Sequence, residues 1–317
     1  MSAAPDLSAQ RGADLPDPAG ALAGAVSRGP AERAVGAALA ACALVTVATT
    51  VGIVAVLVWE SVGFFRQVPA SEFFGATEWT PLFVDGRFGV WPLVTATLLV
   101  TAIAAVVALP LGLLAAVYVS QFASGRVRRV VKPALELLAG VPTVVYGFFA
   151  LTAVTPFLQT FVPGLGVYNA LSAGLVVGVM VLPLVASLSE DALRSVPRRL
   201  AEGAYALGAT EGEVVWRVTV PAALSGIVAS FILALSRAIG ETMIVVLAAG
   251  ATPQLTLDAR ESVMTMTAFI VNATLGDAAQ GSAVFQSLFA VGLLLFLVTL
   301  AMNVGAQHIV RRFAQRA

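Results

Sequence analysis

Two charged residues, Arg237 and Glu241, stand four positions apart inside the apolar stretch "ALSRAIGETMIVV" (residues 234–246). An arginine at the centre of a membrane helix costs about 2.5–3.5 kcal/mol on insertion scales, so such residues usually face a bundle interior or a water-filled pathway. On one continuous helix, this spacing places both side chains on the same face. A guanidinium donates two parallel hydrogen bonds to an oxyanion and stays charged at any working pH. We therefore predict an anion pathway at Arg237, with Glu241 keeping the empty site neutral.

A structural interpretation of the same pair is that Arg237 and Glu241 neutralise each other and hold helices together. The residue order argues against it, because an acidic residue preceding a basic one is the better arrangement on a helix. Glu136 is either a solvated carboxylate near the start of an apolar segment or a partner of Arg237. Thr265 and Thr267 could belong to a short external or re-entrant helix beside the pathway.

The composition is that of an all-α, polytopic membrane protein. Of 317 residues, 59% are hydrophobic and 11% are charged, whereas soluble domains carry about 25% charged residues. The mean hydropathy is +0.92. The only cysteine is Cys42 and the only histidine is His308, which excludes an intrachain disulfide and argues against a metal site or a Ser-His-Asp triad. We assign no catalytic residue and no metal ligand, and the zero net charge gives no indication of a nucleic-acid partner.

The apolar segments predict six membrane spans, since each span needs about 20 residues. Pro110, Pro142 and Pro183 are expected to kink the second, third and fourth spans, as membrane helices tolerate. The predicted spans are 35–59, 93–119, 135–157, 170–188, 226–249 and 284–304.

The positive charges predict the orientation. Of the 18 lysine and arginine residues, 14 fall on one side of these spans, and that side is expected to be cytoplasmic. Both termini and the loop at about 189–225 are therefore predicted to lie in the cytoplasm. Residues 1–33 are predicted to be a disordered cytoplasmic tail, residues 34–310 the transmembrane domain, and residues 311–317 a second cytoplasmic tail.

The loop at 189–225 contains signals for two short helices. Ser195 is expected to cap the first helix, and Gly208 to end it. Thr210 and Glu213 have the spacing of a capping box that starts the second. Two short helices that meet at a glycine could dock on another protein, or lie on the membrane surface as an amphipathic connector.

The same loop resembles the EAA signature of ABC-importer permeases. The residues that carry the resemblance are Glu202-Gly203-Ala204, then Gly208, then the segment ending in Val220-Pro221. Gly203 replaces the usual first alanine, and valines occupy the aliphatic positions before the proline. In that family the loop is the coupling helix that docks on the ATPase subunit. The resemblance therefore implies an ATPase-coupling role for Glu202, Gly203, Ala204, Gly208 and Pro221.

Three further stretches resemble the phosphate-specific (Pst) permeases, and the PstC subunit more than PstA. They are "ELLAGVPTVVYGFFAL" (136–151), "SRAIGETM" (236–243) and "SVMTMTAFI" (262–270). The resemblance implies a six-span permease of the MetI-like, type I importer class. It also implies a path for phosphate shared with a PstA-type permease, two PstB-type ATPases, and an extracytoplasmic phosphate-binding protein of the PstS type.

The chain has no phosphate-binding loop of its own. A Walker A motif needs lysine after a glycine, and the only lysine, Lys132, follows a valine. We therefore expect no cofactor in this chain, with ATP and Mg²⁺ held by the partner ATPase.

Three alternative functions remain. One is a permease for another oxyanion (sulfate or molybdate). Another is an ion-coupled secondary transporter, which would leave the EAA spacing unexplained, and the third is an intramembrane enzyme.

Overall fold

The computed structural model describes residues 30–314, except 82, 84, 85, 277 and 278. Within this part of the chain the secondary structure is helical, apart from one isolated antiparallel bridge between Trp79 and Phe88. The predicted all-α class is confirmed. Most of the predicted N-terminal tail (1–33) and the last three residues of the C-terminal one lie outside the described residues.

The chain divides into two units, residues 1–55 and residues 56–317. The described part of the first unit is a single stretch of helix, the beginning of α1 (Pro30–Gln67). This helix extends the predicted first span, 35–59, at both ends. Its sequence is uncharged from Ala34 to Trp59, as a helix in a hydrocarbon environment requires.

The second unit contains the end of α1 and a succession of further helices. Short π-helical turns, at 118–122, 150–154 and 215–219, continue or connect some of them. The helices are α2 (Ala70–Gly75), α3 (Trp91–Val117), α4 (Gly125–Gly140), α5 (Thr143–Phe149), α6 (Thr155–Gln159), α7 (Ala170–Ser195), α8 (Arg198–Ala206), α9 (Glu211–Val214), α10 (Val220–Ala222), α11 (Leu224–Ile239), α12 (Met243–Ala248), α13 (Met266–Leu275) and α14 (Ala283–Ala314).

Four helices are long and apolar enough to cross a membrane, and two bent pairs could each supply one more span. The long ones are α1, α3 with its π turn, α7 and α14. One bent pair is Gly125–Gly140 with Thr143–Gln159, and the other is Glu211–Ala222 with Leu224–Ile239. Within the described residues, the first, second, fourth and sixth predicted spans thus correspond to the four long helices, and the third and fifth each overlap one bent pair.

The predicted third span, 135–157, is wrong as a continuous helix. The chain turns by 89° between α4 and α5, where Val141 is extended (φ −67°, ψ 130°) and Pro142 precedes the next helix. A residue before proline is disfavoured in the helical region, and proline has no N–H to donate. The kink expected at Pro142 is therefore a complete break, whereas α3 and α7 continue through Pro110 and Pro183.

Helices α3 and α7 pack against each other at the centre of the second unit. Glycines on α7 allow the two helices to approach closely. A Cβ at Gly174 would lie 2.6 Å from the Ile103 Cβ, and one at Gly178 would lie 3.0 Å from the Ala104 carbonyl. Small residues allow membrane helices to approach in this way. This pair forms the support on which α11 packs.

Candidate functional site

Arg237 lies in the last turn of α11, and side-chain hydrogen bonds hold this helix in place. The Ser189 and Ser230 hydroxyls, 2.7 Å apart, join α7 to α11. The Ser236 hydroxyl donates to the Asn303 side chain of α14 at 2.7 Å. The helix carrying the guanidinium is thus fixed on both sides, by α7 and by α14.

The Arg237 side chain lines a cavity of about 310 Å³, which is large enough to hold several waters. Lys132, Glu136 and Glu190 line the same cavity, so it contains two cations and two carboxylates. Its remaining lining is Leu135, Ala139, Met180, Pro183, Leu184 and Ser187. Among the described residues, Arg237 makes no ion pair within 4.0 Å. A positively charged group therefore faces a space in which a small anion could be accommodated. The described residues contain no group of three or more His, Cys, Asp and Glu side chains that could hold a metal ion.

Glu241 does not share a helical face with Arg237, and that expectation is wrong. Helix α11 ends at Ile239, Gly240 caps it, and α12 begins at Met243. Glu241 therefore lies in a break in the predicted fifth span, 226–249. Gly240 followed by polar residues is a stop-and-start signal that the sequence does contain.

The Glu241 side chain acts locally. It is only 6% exposed, and its Oε1 accepts a hydrogen bond from the Ile244 N–H at 3.3 Å, in the first turn of α12. A carboxylate is favourable at a helix N-terminus, because the backbone N–H groups there have no helical partner. Glu241 thus stabilises the first turn of the helix that follows the break.

Thr265 and Thr267 contact this break directly. The Thr267 hydroxyl donates to the Glu241 carbonyl at 2.7 Å, and the two threonine hydroxyls lie 3.0 Å apart. Thr265 also caps α13 by accepting from the Ala268 N–H at 3.1 Å. The expected short helix is confirmed, since α13 has ten residues and is too short to be a span. Both threonines are buried, so they hold the broken segment in place, while their role in a pathway stays a prediction.

Glu136 lies on α4 and lines the cavity of Arg237, although no ion pair joins the two side chains among the described residues. A direct partnership between Glu136 and Arg237 therefore stays a prediction. Glu136 is exposed, as a solvated carboxylate would be, and lies on the helix before the 89° bend.

Glu190 is the charged residue of this region that the sequence analysis missed. It is 3% exposed and lies near the end of α7, beyond the predicted fourth span, 170–188. Its carboxylate pairs with Arg128, with Lys132 at 3.4 Å and with Arg194 at 3.7 Å. The partners Arg128 and Lys132 come from α4, so this cluster joins α4 to α7.

The loop after α7 presents an exposed, amphipathic helix. Helix α8 has no buried residue, and Leu200, Tyr205 and Leu207 are all exposed, Leu207 to 90%. Gly208 has a φ of +85°, which favours glycine. The prediction that Gly208 ends the first helix is confirmed, since it closely follows the last residue of α8, Ala206.

Other predictions for this loop have mixed outcomes. The capping box is confirmed: Thr210 Oγ1 accepts from the Glu213 N–H at 3.4 Å, and Glu213 Oε2 accepts from the Thr210 N–H at 3.0 Å. Hydrogen bonds from the Thr210 N–H and hydroxyl to the Glu213 carboxylate, aided by Arg217, lower the pKa of Glu213. Ser195 does not cap α8, because its hydroxyl donates backwards to the Ala192 carbonyl at 2.7 Å, at the end of α7.

The EAA-like residues lie on two of the short helices of this loop, α8 and α10, and at the glycine that follows α8. Glu202 and Gly203 are exposed on α8, and Ala204 is half-buried. Pro221 lies in α10, immediately before a 69° bend into α11. The short helices α8 and α9 therefore form one exposed surface that is connected through this bend to the helix of Arg237.

At the other end of α7, an ion pair organises the loop before α13. Asp258 Oδ1 accepts from Arg260 N–H and Nε–H, each at 2.9 Å. These hydrogen bonds lower the pKa of Asp258 to about 2. The Arg260 carbonyl accepts from the Gly166 N–H at 3.0 Å, so this loop is tied to the one before α7.

Comparison with known sequences assigns the chain to a protein family. Residues 108–315 match the family described as "Binding-protein-dependent transport system inner membrane component". The chain is 35% identical over 293 residues to the phosphate transport system permease protein PstC 1 of Mycobacterium tuberculosis, covering 81% of this chain and 86% of that protein. It is 34% identical over 261 residues to a Bacillus subtilis protein named probable ABC transporter permease protein YqgH, covering 82% and 84%.

Solved structures support the fold. The chain resembles a chain of a bacterial alginate ABC transporter with a TM-score of 0.62 at 19% identity, covering 86% of this chain and 94% of that one. It resembles a chain of the MetNI methionine ABC transporter, in an inward-facing conformation, with a TM-score of 0.53 at 22% identity, covering 71% and 94%. The predicted MetI-like permease fold is confirmed.

An ABC permease of this kind is a membrane subunit that is not itself catalytic and that works with ATPase and substrate-binding partners. The family match, which covers well over half of the chain, agrees with the broken membrane helices and the exposed EAA-like loop. The chain belongs to the family of binding-protein-dependent transport system inner membrane components, as an ABC-importer permease homologous to the PstC phosphate permeases.

Proposed function

We propose that this chain is the PstC-type permease of an ATP-driven importer of inorganic phosphate. A PstA-type permease completes the translocation path, two PstB-type ATPases hold ATP and Mg²⁺, and a PstS-type protein delivers phosphate from outside. The observation that carries the proposal is Arg237 lining a cavity that also contains Lys132, Glu136 and Glu190, in a chain homologous to PstC permeases. A guanidinium matches the two-pronged geometry of a phosphate oxyanion.

The charges of the cavity suit transient binding of an anion. Glu136 shares the cavity with Arg237, so we assign to Glu136 the neutralising role that the sequence suggested for Glu241. Glu241 instead supports the helix break beside the path, together with Thr265 and Thr267. A transport site must bind strongly enough to admit the ion and weakly enough to release it. Carboxylates near the guanidinium weaken the hold of the empty site on anions in general.

The surface formed by α8 and α9 is the proposed ATPase-coupling site. It includes Glu202, Gly203, Ala204 and Gly208, and Pro221 leads from it into α11. Its exposed apolar side chains, Leu200, Tyr205 and Leu207, supply the area that a docking partner would bury. The bend after Pro221 connects a movement of this surface to the helix of Arg237.

In the proposed orientation this surface and both termini are cytoplasmic, in the inner membrane of a prokaryote. Leu257 and Leu207 are both highly exposed, so each can be replaced by cysteine for labelling in a Cys42→Ala background. An impermeant thiol reagent added outside intact cells is expected to label Leu257→Cys and not Leu207→Cys. The reverse pattern would exclude ATPase docking on α8.

The function is tested by reconstitution of the complex with its ATPase, second permease and phosphate-binding protein in proteoliposomes. We expect phosphate uptake that requires ATP, and an excess of sulfate or molybdate should not compete with it. Competition by either ion would identify another oxyanion as the substrate. Uptake driven by an ion gradient without ATP would contradict the proposal altogether.

A further inference from the structure

We propose that the Lys132 ammonium group is a second contact for the oxyanion in the cavity of Arg237. It would release Glu190 and bind the transported ion in its place. The proposal rests on the phosphate path proposed above and extends it by one residue. Nothing in the sequence around Lys132 indicates such a role. The structure places its side chain on the same cavity as the guanidinium.

The first argument is position. Lys132 and Arg237 are the two cations that line this cavity, one from α4 and one from α11. Along α7 the lining extends from Met180 to Glu190, which corresponds to about 15 Å of helix. An anion that moves along this length would therefore meet one cation from each of two separate helices.

The second argument is that Lys132 can leave its partner at low cost. Glu190 is held by three cations, and it keeps Arg128 and Arg194 when Lys132 turns away. The carboxylate would still have two counter-charges, so no uncompensated charge is left buried. Lys132 also carries the compact, rotatable ammonium group, with three donors on a flexible stem, that suits exchange between partners.

The third argument is that Arg128 and Arg194, the other two partners of Glu190, line a cavity different from that of Arg237. Arg128 and Arg194 line a different cavity of about 570 Å³, together with Arg198 and Ala201 of α8. Glu190 thus lies between the two cavities, and Lys132 is the member of its cluster that faces the space of Arg237. The structure assigns Arg128 and Arg194 to holding Glu190, and Lys132 to exchange.

The experiment compares Lys132→Gln with the matched control Arg128→Gln in the reconstituted complex, with phosphate uptake and thermal stability as the two readouts. Both variants remove one cation from Glu190, and only Lys132→Gln removes a cation from the Arg237 cavity. We expect Lys132→Gln to lower phosphate uptake about tenfold, as loss of one charge-assisted contact predicts, with thermal stability close to wild type. Arg128→Gln should keep uptake within about twofold of wild type and lose more stability, because it removes the least exposed of the three partners. Lys132→Arg should restore most of the uptake.

The opposite result would overturn the proposal. If Lys132 only neutralises Glu190, Arg128→Gln should reduce uptake at least as much as Lys132→Gln, and uptake and stability should fall together. Uptake by Lys132→Gln within about twofold of wild type would also contradict an anion contact. Arg237→Gln, measured in parallel, separates this inference from the proposed path. Normal uptake by Arg237→Gln would refute the path itself, whereas loss in Arg237→Gln with normal uptake in Lys132→Gln would refute only the second contact.

Discussion

Arg237 and Glu190 line the same cavity, but they differ in burial and in the number of opposite charges around them. Glu190 is buried and paired with three cations from two helices. Arg237 is exposed to the cavity and, among the described residues, pairs with no carboxylate. A buried charge that is paired on several sides holds helices together, because removing it leaves its partners uncompensated. A charge that faces open space is available to a ligand. The contrast therefore distinguishes a charge that stabilises the fold, Glu190, from one that can bind an anion, Arg237.

The largest expected effect is on uptake in Arg237→Gln. The substitution removes charge-assisted hydrogen bonds worth about 1.5–3 kcal/mol each, so uptake should fall on the order of 100-fold or more. Assembly and thermal stability should be unchanged, since no described ion pair is lost. Arg237→Lys should recover part of the uptake, because a point charge does not reproduce two-pronged donation. A parallel loss of assembly in Arg237→Gln would make Arg237 a structural charge like Glu190.

Glu190→Gln should show the opposite pattern. It leaves Arg128, Lys132 and Arg194 without their shared counter-charge, and we expect about 1–3 kcal/mol of lost stability. The loss is kept moderate by the partial exposure of all three cations, of which Arg128 is 23% exposed. Thermal unfolding of the purified complex measures it. Unchanged stability would show that the cluster does not hold α4 to α7.

Gly208→Val should have a smaller effect, confined to coupling. A β-branched residue at a φ of +85° is strained by about 1–2 kcal/mol, which should shift the junction of α8 and α9. No atom lies within 4 Å of a Cβ built at this position, so the effect arises from backbone strain and not from a clash. Phosphate uptake and phosphate-stimulated ATP hydrolysis should both fall several-fold, with normal membrane insertion. Gly208→Asn is the control, because asparagine tolerates this conformation, and equal activity of both variants would argue against a coupling role.

The smallest effect concerns pH at the Asp258–Arg260 pair. The folded-state pKa of Asp258 is about 2, below its usual 3.8, so its stabilising contribution is complete above about pH 4 and is lost as the pH falls through about 2. Asp258→Asn should flatten the decrease in unfolding temperature between these two pH values. The change should be slight because the carboxylate is solvent-exposed. An identical decrease in both proteins would show that the pair does not contribute.

Local signals in the sequence predict much of this fold. Gly208 and the Thr210–Glu213 capping box act over three or four residues, and the structure forms both as predicted. Pro142 predicts an interruption, although the angle of 89° depends on packing that no local pattern encodes. The glycine and polar residues at 240–242 signal a break, but the apolar residues on both sides resemble one uninterrupted span.

Long-range charge contacts are what the sequence does not predict. Arg128 and Glu190 are separated by 62 positions, and nothing in either segment indicates that they meet. Conversely, Arg237 and Glu241 are close in sequence and suggest a pair, which the helix end at Ile239 prevents. A four-residue spacing implies a shared face only if the helix continues through it.

The central claim, that Arg237 meets the transported anion, is tested most directly by the charge exchange Arg237→Glu with Glu241→Arg. If the two residues served only to balance each other, the exchanged protein would regain uptake that each single substitution loses. Since Arg237 faces the cavity and Glu241 accepts a hydrogen bond from the first turn of α12, we expect the exchanged protein to assemble with its partners and to transport no phosphate. Near-normal phosphate uptake by the exchanged protein would contradict the claim.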